Sequence, residues 1–270
     1  MPTLREVQGD AGPLAVWEWP GGDPPALLLH GVGNYGRYWD AFADAVAGRL
    51  RLIAPDARGH GDSARPRDGY GASDFVGDAV RVLDAVGVEH AVVVGHSMGG
   101  FHATALASAH PERVARLVIV DAGPRSLPEG ASRARRLSLE RPASFAAPSD
   151  AEAYLRQTSP GYEDSVYQNR LRWLFREERG HLVWRSADHA LERIFSGSAE
   201  RLSPWQRARD LTMPVLVVRG TRSPVLAADV ARDLVATIPA ARLLELDAAH
   251  NVALDRPREL ADAVVEFART

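Results

Sequence analysis

The run GHSMGG at residues 95–100 carries the strongest chemical signal in this sequence. It matches G-x-S-x-G, a pattern in which a serine stands on a sharp turn between a buried strand and a helix. The context fits, because the apolar residues 91–94 precede it and the helix-like FHATALASAH follows it. A side chain at Gly95 or Gly99 would collide with the neighbouring strand or helix. We therefore interpret Ser97 as a nucleophile whose strained backbone lifts its hydroxyl clear of the sheet.

Few other side chains offer covalent or metal chemistry. Cysteine is absent, which excludes disulfides, thiolate nucleophiles and thiolate metal sites. The basic residues are all arginine, which excludes Schiff-base chemistry through a lysine. The histidines and carboxylates do not follow metal-ligand spacing, and the glycines at 31 and 33 lack the partners of a phosphate-binding loop. We therefore expect no metal and no cofactor.

Composition and charge narrow the range of partners. The 270 residues are 46% hydrophobic and 25% charged, and the formal net charge is −3. This balance gives no reason to expect nucleic acid or an acidic membrane surface as a partner, and no apolar run approaches the length of a membrane span. The beginning of the chain lacks the pattern of a signal peptide. We expect a cytoplasmic protein that acts on a small molecule, and the sequence specifies no oligomeric state.

Apolar runs and amphipathic stretches alternate along most of the chain. Strands are predicted at residues 3–8, 13–19, 26–30, 51–55, 91–94, 117–121, 214–220 and 242–247. Helices are predicted between them, including one that Ser73 caps and that runs to about Val86. Strands that alternate with helices form a mostly parallel sheet covered on both faces, so we predict an α/β fold.

Residues 124–210 interrupt this alternation. The segment lacks buried-strand runs, and helices are predicted in it near 150–158, 163–178 and 187–195. Because it is too long for a connection, we predict a helical lid subdomain, with the core formed by residues 1–123 and 211–270. The lid should lie over the carboxyl ends of the strands, where α/β sheets bind ligands.

The predicted lid carries several aromatic residues, among them Trp173 and Trp184. Such residues are able to line an apolar pocket for the substrate. They are equally able to form the small core of the lid itself. Trp173 and Trp184 are therefore candidate substrate-binding residues with a packing role as the alternative.

Four motifs, in this order, give the chain a resemblance to the α/β-hydrolase superfamily. They are His-Gly-Val-Gly at 30–33, Asp-x-Arg-Gly-x-Gly-x-Ser at 56–63, Gly-His-Ser-Met-Gly-Gly at 95–100 and Ala-His-Asn at 249–251. The resemblance covers nearly the whole chain. It implies an eight-stranded sheet, a helical lid after the sixth strand, and a catalytic triad in the chain order serine, acid, histidine.

The resemblance also implies roles for residues around Ser97. His250 follows the last predicted strand, where members of the superfamily place the catalytic histidine, so it is the expected base. The N–H groups of Val32 and Met98 are the expected oxyanion hole.

Four more residues lie within or beside these motifs and are candidates to shape the pocket or to bind substrate. They are His30, Gly31, His96 and His102.

The acid departs from the pattern that is common among relatives. Many carry an aspartate after the seventh strand, as Gly-x-x-Asp or Gly-x-x-Ser-Asp, whereas residues 220–224 here read Gly-Thr-Arg-Ser-Pro. A minority place the acid after the sixth strand. Asp121 stands there, and we predict that it orients His250. Asp247 and Asp229 are the other candidates, and capping of the turn that follows is the structural alternative for Asp121.

Three classes of function fit these residues. The first is a cofactor-free serine hydrolase of an ester, lactone or thioester, using Ser97, His250 and Asp121; carbon–carbon bond hydrolysis uses the same residues. The second is a cofactor-independent dioxygenase, which the chain also resembles because such enzymes use a histidine with an aspartate after the sixth strand. The third is a ligand-binding protein with a disabled triad, which the presence of Asp121 makes less attractive.

Overall fold

The computed structural model describes residues 1–197 and 204–270. In this part of the chain, eleven strands form two sheets. The strands are β1 (Thr3–Gly9), β2 (Gly12–Trp19), β3 (Ala26–Leu29), β4 (Leu52–Pro55), β5 (Ala91–His96), β6 (Val114–Val120), β7 (Ser144–Phe145), β8 (Phe175–Glu178), β9 (His181–Trp184), β10 (Val215–Gly220) and β11 (Ala241–Leu246).

Eleven α-helices are present in the same part of the chain. They are α1 (Asp40–Val46), α2 (Ala72–Ala85), α3 (Met98–Ala109), α4 (Pro128–Leu139), α5 (Pro148–Thr158), α6 (Asp164–Leu174), α7 (Asp188–Ser196), α8 (Pro204–Arg209), α9 (Ala228–Thr237), α10 (Val252–Asp255) and α11 (Pro257–Arg269). Ser97, which follows β5, is the N-cap residue of α3.

The large sheet has eight strands in the order β1-β2-β4-β3-β5-β6-β10-β11. β1 pairs antiparallel with β2, and β2 pairs antiparallel with β4. The pairs from β4 to β11 are parallel. The predicted α/β-hydrolase fold with a mostly parallel eight-stranded sheet is confirmed. β5, which leads to Ser97, lies in the middle of this sheet.

Helices cover both faces of the large sheet, as predicted. Because successive side chains of a strand point to opposite faces, Leu28 and Val94 pack on one side with residues of α1 and α11. Leu27 and Val93 pack on the other side with residues of α2 and α3. All four side chains are fully buried. The strands are therefore held rigidly, and the loops at their ends are presented at defined positions.

The segment 124–210, which joins β6 to β10, contains more than the predicted helices. The prediction of a helix over 163–178 is wrong, because α6 ends at Leu174 and the next four residues form β8. β8 turns into β9 through Arg179 and Gly180, both at positive φ, and β7, β9 and β8 form a small antiparallel sheet. The segment therefore contains three short strands that were not predicted. Its strands are short, so they lack the apolar run on which the prediction relied.

Two details of the helices also differ from expectation. Gly71, and not Ser73, is the N-cap of α2. The carboxylate of Asp74 accepts a hydrogen bond from the N–H of Gly71 at 2.9 Å. Helix α4 was not predicted, because its sequence PEGASRARRLSL has few apolar residues and no clear buried face.

Candidate active site

Ser97 stands on a strained turn between β5 and α3. Its φ of 54° and ψ of −119° lie outside the regions that L-residues prefer. A Cβ on Gly95 would lie 2.2 Å from the carbonyl oxygen of Gly99, and a Cβ on Gly99 would lie 2.1 Å from that of Leu29. Glycine is therefore required at both positions, and the predicted strained turn is confirmed.

Ser97, His250 and Asp121 form a continuous chain of hydrogen bonds. The Ser97 Oγ lies 3.0 Å from His250 Nε2, and His250 Nδ1 lies 2.7 Å from Asp121 Oδ2. Because the carboxylate accepts from Nδ1–H, the neutral imidazole keeps Nε2 free to accept the serine proton. Ser97 lies on the turn after β5, Asp121 lies at the end of β6, and His250 lies on the loop after β11.

Asp121 is fully buried, and its carboxylate accepts three hydrogen bonds. Besides His250, the N–H of Gly220 donates to Oδ1 at 2.9 Å, and the hydroxyl of Ser223 donates to Oδ2 at 2.5 Å. The Ser223 hydroxyl in turn accepts hydrogen bonds from backbone N–H groups at 225 and 226. Sequence reasoning missed Ser223 as a site residue. Its signal was its position, where many relatives place the acid itself.

The two alternative acids lie elsewhere. Asp247 is exposed and forms ion pairs with Arg222 and Arg256. Asp229 is exposed and lies 3.6 Å from Arg125. The hydrogen bond from His250 Nδ1 is accepted by Asp121.

Two buried histidines fix the loop that carries Val32. The N–H of Ala57 donates to His30 Nε2 at 3.0 Å, and the N–H of Gly33 donates to His60 Nε2 at 3.0 Å. Both rings therefore carry their proton on Nδ1 and are neutral. Burial lowers the pKa of His30 to about 3 and that of His60 to about 4. These rings tie the loops after β3 and β4 together.

Val32 and Met98 both lie in the wall of the cavity that contains Ser97. In the described part of the chain, neither backbone N–H donates a hydrogen bond to a protein acceptor. Gly31 packs directly against the serine, because a Cβ at this position would lie 3.2 Å from the Cβ of Ser97. Two N–H donors beside a nucleophile are available to a developing oxyanion.

His96 supports the backbone of the proposed base and does not line the cavity. Its Nε2 donates to the carbonyl oxygen of His250 at 2.8 Å, and its ring stacks on that of Tyr38. Burial lowers the pKa of His96 well below its usual value, so the ring is neutral. His30 is also not among the residues that line the cavity. His30 and His96 therefore hold backbone groups in position, whereas the sequence analysis also allowed them to contact substrate.

A cavity of about 640 Å³ opens above Ser97. Ser97, His250, Met98 and Val32 lie in its wall, together with residues of α4 and α7 from the segment 124–210. His102 also lines it; its ring stacks on Phe75, and burial lowers its pKa to about 3.

Trp173 and Trp184 do not line this cavity, which corrects their assignment as substrate-binding residues. Trp173 packs edge-on against Trp17. Trp184 packs among Phe145 and Phe175 and donates its indole N–H to the carbonyl oxygen of Pro142. Both side chains serve the packing of the segment 124–210 and its contact with the core.

Two further features are absent from residues 1–197 and 204–270. Within these ranges, no group of three or more histidine, aspartate or glutamate side chains is arranged to hold a metal ion. No helix within them is long and apolar enough to cross a membrane.

The family of the chain follows from a comparison with family models. The model described as alpha/beta hydrolase fold matches residues 24–257, a range that includes Ser97, Asp121 and His250. The chain belongs to the α/β-hydrolase family. A solved structure of E-2-(acetamidomethylene)succinate hydrolase superposes on this α/β hydrolase with a TM-score of 0.91 and 26% identity, over 100% of both chains.

The curated relatives of this α/β hydrolase match it over different shares of their own length. Proteins of Mycobacterium tuberculosis and Mycobacterium bovis are 36% identical over 124 residues, and the match spans 36% of their length and 45% of this chain. The 2-(acetamidomethylene)succinate hydrolase of Mesorhizobium japonicum is 28% identical over 77% of this chain and 74% of its own. The 2-hydroxymuconate semialdehyde hydrolase of Pseudomonas putida is 46% identical over 36% of this chain and 35% of its own.

Proposed function

We propose that this protein is a cofactor-free serine hydrolase that cleaves an ester, lactone or thioester through an acyl-enzyme on Ser97. The observation that carries the proposal is the unbroken chain of hydrogen bonds from the Ser97 hydroxyl through His250 to Asp121. Serine alone is a weak nucleophile and becomes reactive when a base removes its proton. The proposal includes a small-molecule substrate and a cytoplasmic location, with no nucleic-acid or membrane partner.

In the first half-reaction, Ser97 Oγ attacks the carbonyl carbon of the substrate while His250 Nε2 takes the serine proton. Asp121 stabilises the imidazolium and holds its orientation. The N–H groups of Val32 and Met98 donate to the oxyanion of the tetrahedral intermediate. When this intermediate collapses, the bond to the alcohol or thiol breaks, and His250 returns the proton to the leaving group.

In the second half-reaction, water replaces the leaving group. His250 removes a proton from the water as it attacks the acyl carbon. When the tetrahedral intermediate collapses, the bond from the acyl carbon to Ser97 Oγ breaks and His250 returns the proton to Ser97, which releases the acid and the Ser97 hydroxyl. We also propose that residues 124–210 act as a lid over the core formed by residues 1–123 and 211–270. The residues of α4 and α7 in the cavity wall support this division.

Carbon–carbon bond hydrolysis is the second candidate, and the relative from Pseudomonas putida supports it. The substrate in that relative's name is an unsaturated hydroxy acid aldehyde without an ester, so its hydrolysis has to break a different bond. The same three residues suffice, because attack on a ketone carbonyl also forms an oxyanion. A dioxygenase has less support, since it does not need the contact between Ser97 and His250.

Labelling with a fluorophosphonate, followed by peptide mass spectrometry, tests the proposal. We expect one adduct, on Ser97, and we expect Ser97→Ala to abolish both the adduct and turnover in a screen of esters, lactones and thioesters of varied chain length. Circular dichroism of the variant is the folding control. A variant that keeps more than a few per cent of the wild-type rate would remove Ser97 from the mechanism and favour a reaction that uses His250 and Asp121 alone.

A further inference from the structure

The charges in the wall of the cavity are unevenly distributed. Among the described residues that line it, the cations are Arg135 and Arg207, and the carboxylate is that of Asp121. The carboxylate is already committed to three hydrogen bonds. His102 is neutral, because burial holds its pKa at about 3. The remainder of the wall is mostly apolar or backbone. Among the described lining residues, the charge that is available to a substrate is therefore positive.

Arg135 is the more informative of the two cations. It lies on α4, and within the described ranges its guanidinium has no ion pair and no hydrogen bond. Arg133 donates to the carbonyl oxygen of Thr158, and Arg125 lies near Asp229. Arg136, the next residue of α4, does not line the cavity. Arg207 already has an interaction partner, so nothing below depends on it.

A guanidinium beside an apolar cavity is well suited to recognise a carboxylate. It is always charged at neutral pH, and it offers two parallel N–H donors to the two oxygens. Arg135 is exposed, so solvent partly screens such a pair.

We propose that Arg135 forms an anion-binding subsite, so that the preferred substrates carry a carboxylate in addition to the group that is hydrolysed. This inference rests on the proposed hydrolase function for its kinetic test. It adds to that function a substrate class and a residue that selects it. The rest of the substrate is apolar, in keeping with the lining by Ile194, Phe195 and Val225.

Matched pairs of esters test the subsite. In one pair the carboxylate is on the acyl side, as in mono(4-nitrophenyl) adipate against 4-nitrophenyl hexanoate. In the other it is on the alcohol side, as in 4-acetoxybenzoate against phenyl acetate. We expect a higher kcat/KM for the charged member of at least one pair, and a preference that weakens as salt is added. The pair that responds shows on which side of the scissile bond Arg135 lies.

Arg135→Gln should reduce this preference by about fivefold, the effect of losing an ion pair at an exposed side chain, and leave kcat/KM for the neutral member nearly unchanged. Arg136→Gln is the matched control. It removes the same charge from the next residue of α4, which does not line the cavity, and should leave the preference intact. Equal rates for charged and neutral esters, or an equal loss in both variants, would overturn the inference while turnover of the neutral esters still supports the hydrolase.

A separate binding measurement is needed if no ester is hydrolysed and Ser97 does not react with the fluorophosphonate. That result would count against the proposed function, and the subsite is then tested by binding. Adipate is titrated calorimetrically into Ser97→Ala protein and into the same protein with Arg135→Gln. Binding that the second change weakens about fivefold supports the subsite, and equal or absent binding in both overturns it.

Discussion

Replacing Asp121 by asparagine is the most demanding test of the candidate site, because it keeps the shape and removes the charge. In the structure, Oδ2 accepts from His250 and Ser223, and Oδ1 accepts from Gly220. An amide has one oxygen, so in either orientation its NH₂ group faces a donor. If it faces the imidazole, His250 has to carry its proton on Nε2, and it is then unable to accept the proton of Ser97.

The lost charge sets the expected size of the effect. The imidazolium that forms during attack lies against a fully buried carboxylate. With about 4 Å between the charge centres and an effective dielectric constant of about 20, the attraction is about 4 kcal/mol. Because about 1.4 kcal/mol corresponds to a tenfold change in rate, kcat should fall roughly a thousandfold. KM should change little, since the imidazolium forms after the substrate has bound.

Asp247→Asn is the control, because it removes a carboxylate that is exposed and paired with Arg222 and Arg256. It should change kcat by less than about twofold. Both variants are assayed side by side across pH, with circular dichroism to verify folding. Adding Ser223→Asp to Asp121→Asn should recover part of the rate, since it supplies a carboxylate from the end of β10. A collapse of activity in Asp247→Asn, with Asp121→Asn nearly as active as wild type, would refute the assignment of the acid.

Two further outcomes follow from buried groups around the site. Ser223→Ala removes a hydrogen bond to the Asp121 carboxylate, so kcat/KM should fall about tenfold. Ser186→Ala, which changes a buried serine in the segment 124–210, should leave kcat/KM near the wild-type value. An unchanged kcat/KM in Ser223→Ala would contradict the role of Ser223. Burial lowers the pKa of His30 to about 3 and of His60 to about 4, so between about pH 6.5 and these values the unfolded chain binds more protons than the folded one. The contribution of these two histidines to the free energy of unfolding should therefore be highest above pH 6.5. As the pH is lowered below 6.5, it should decrease by up to about 1.4 kcal/mol per pH unit for each histidine. Urea titrations at several pH values measure this slope; His60→Gln should reduce it, and an unchanged slope would count against a buried neutral His60.

The sequence was sufficient to predict the turn at Ser97, because that feature is local. The buried strand, the glycines and the helix that create it are consecutive in the chain, and each acts on its immediate neighbours. The α/β class was predictable for a similar reason, since the alternation of apolar runs and amphipathic stretches is a pattern along the chain. The candidacy of His250 and Asp121 depended in addition on the order of motifs shared with the superfamily.

The tertiary structure alone decided which distant side chains meet. Ser223 and Asp121 are 102 positions apart, and they touch because β6 and β10 are neighbours in the sheet. Nothing local predicts that pairing, and Ser223 appeared in the sequence only as the absence of an aspartate. Arg135 lies on a helix whose polar sequence gave no hydrophobic pattern to detect. Trp173 and Trp184 were candidates for the pocket because aromatic residues suit either a cavity or a core. Tertiary packing decides between these two locations, and it places both side chains outside the cavity.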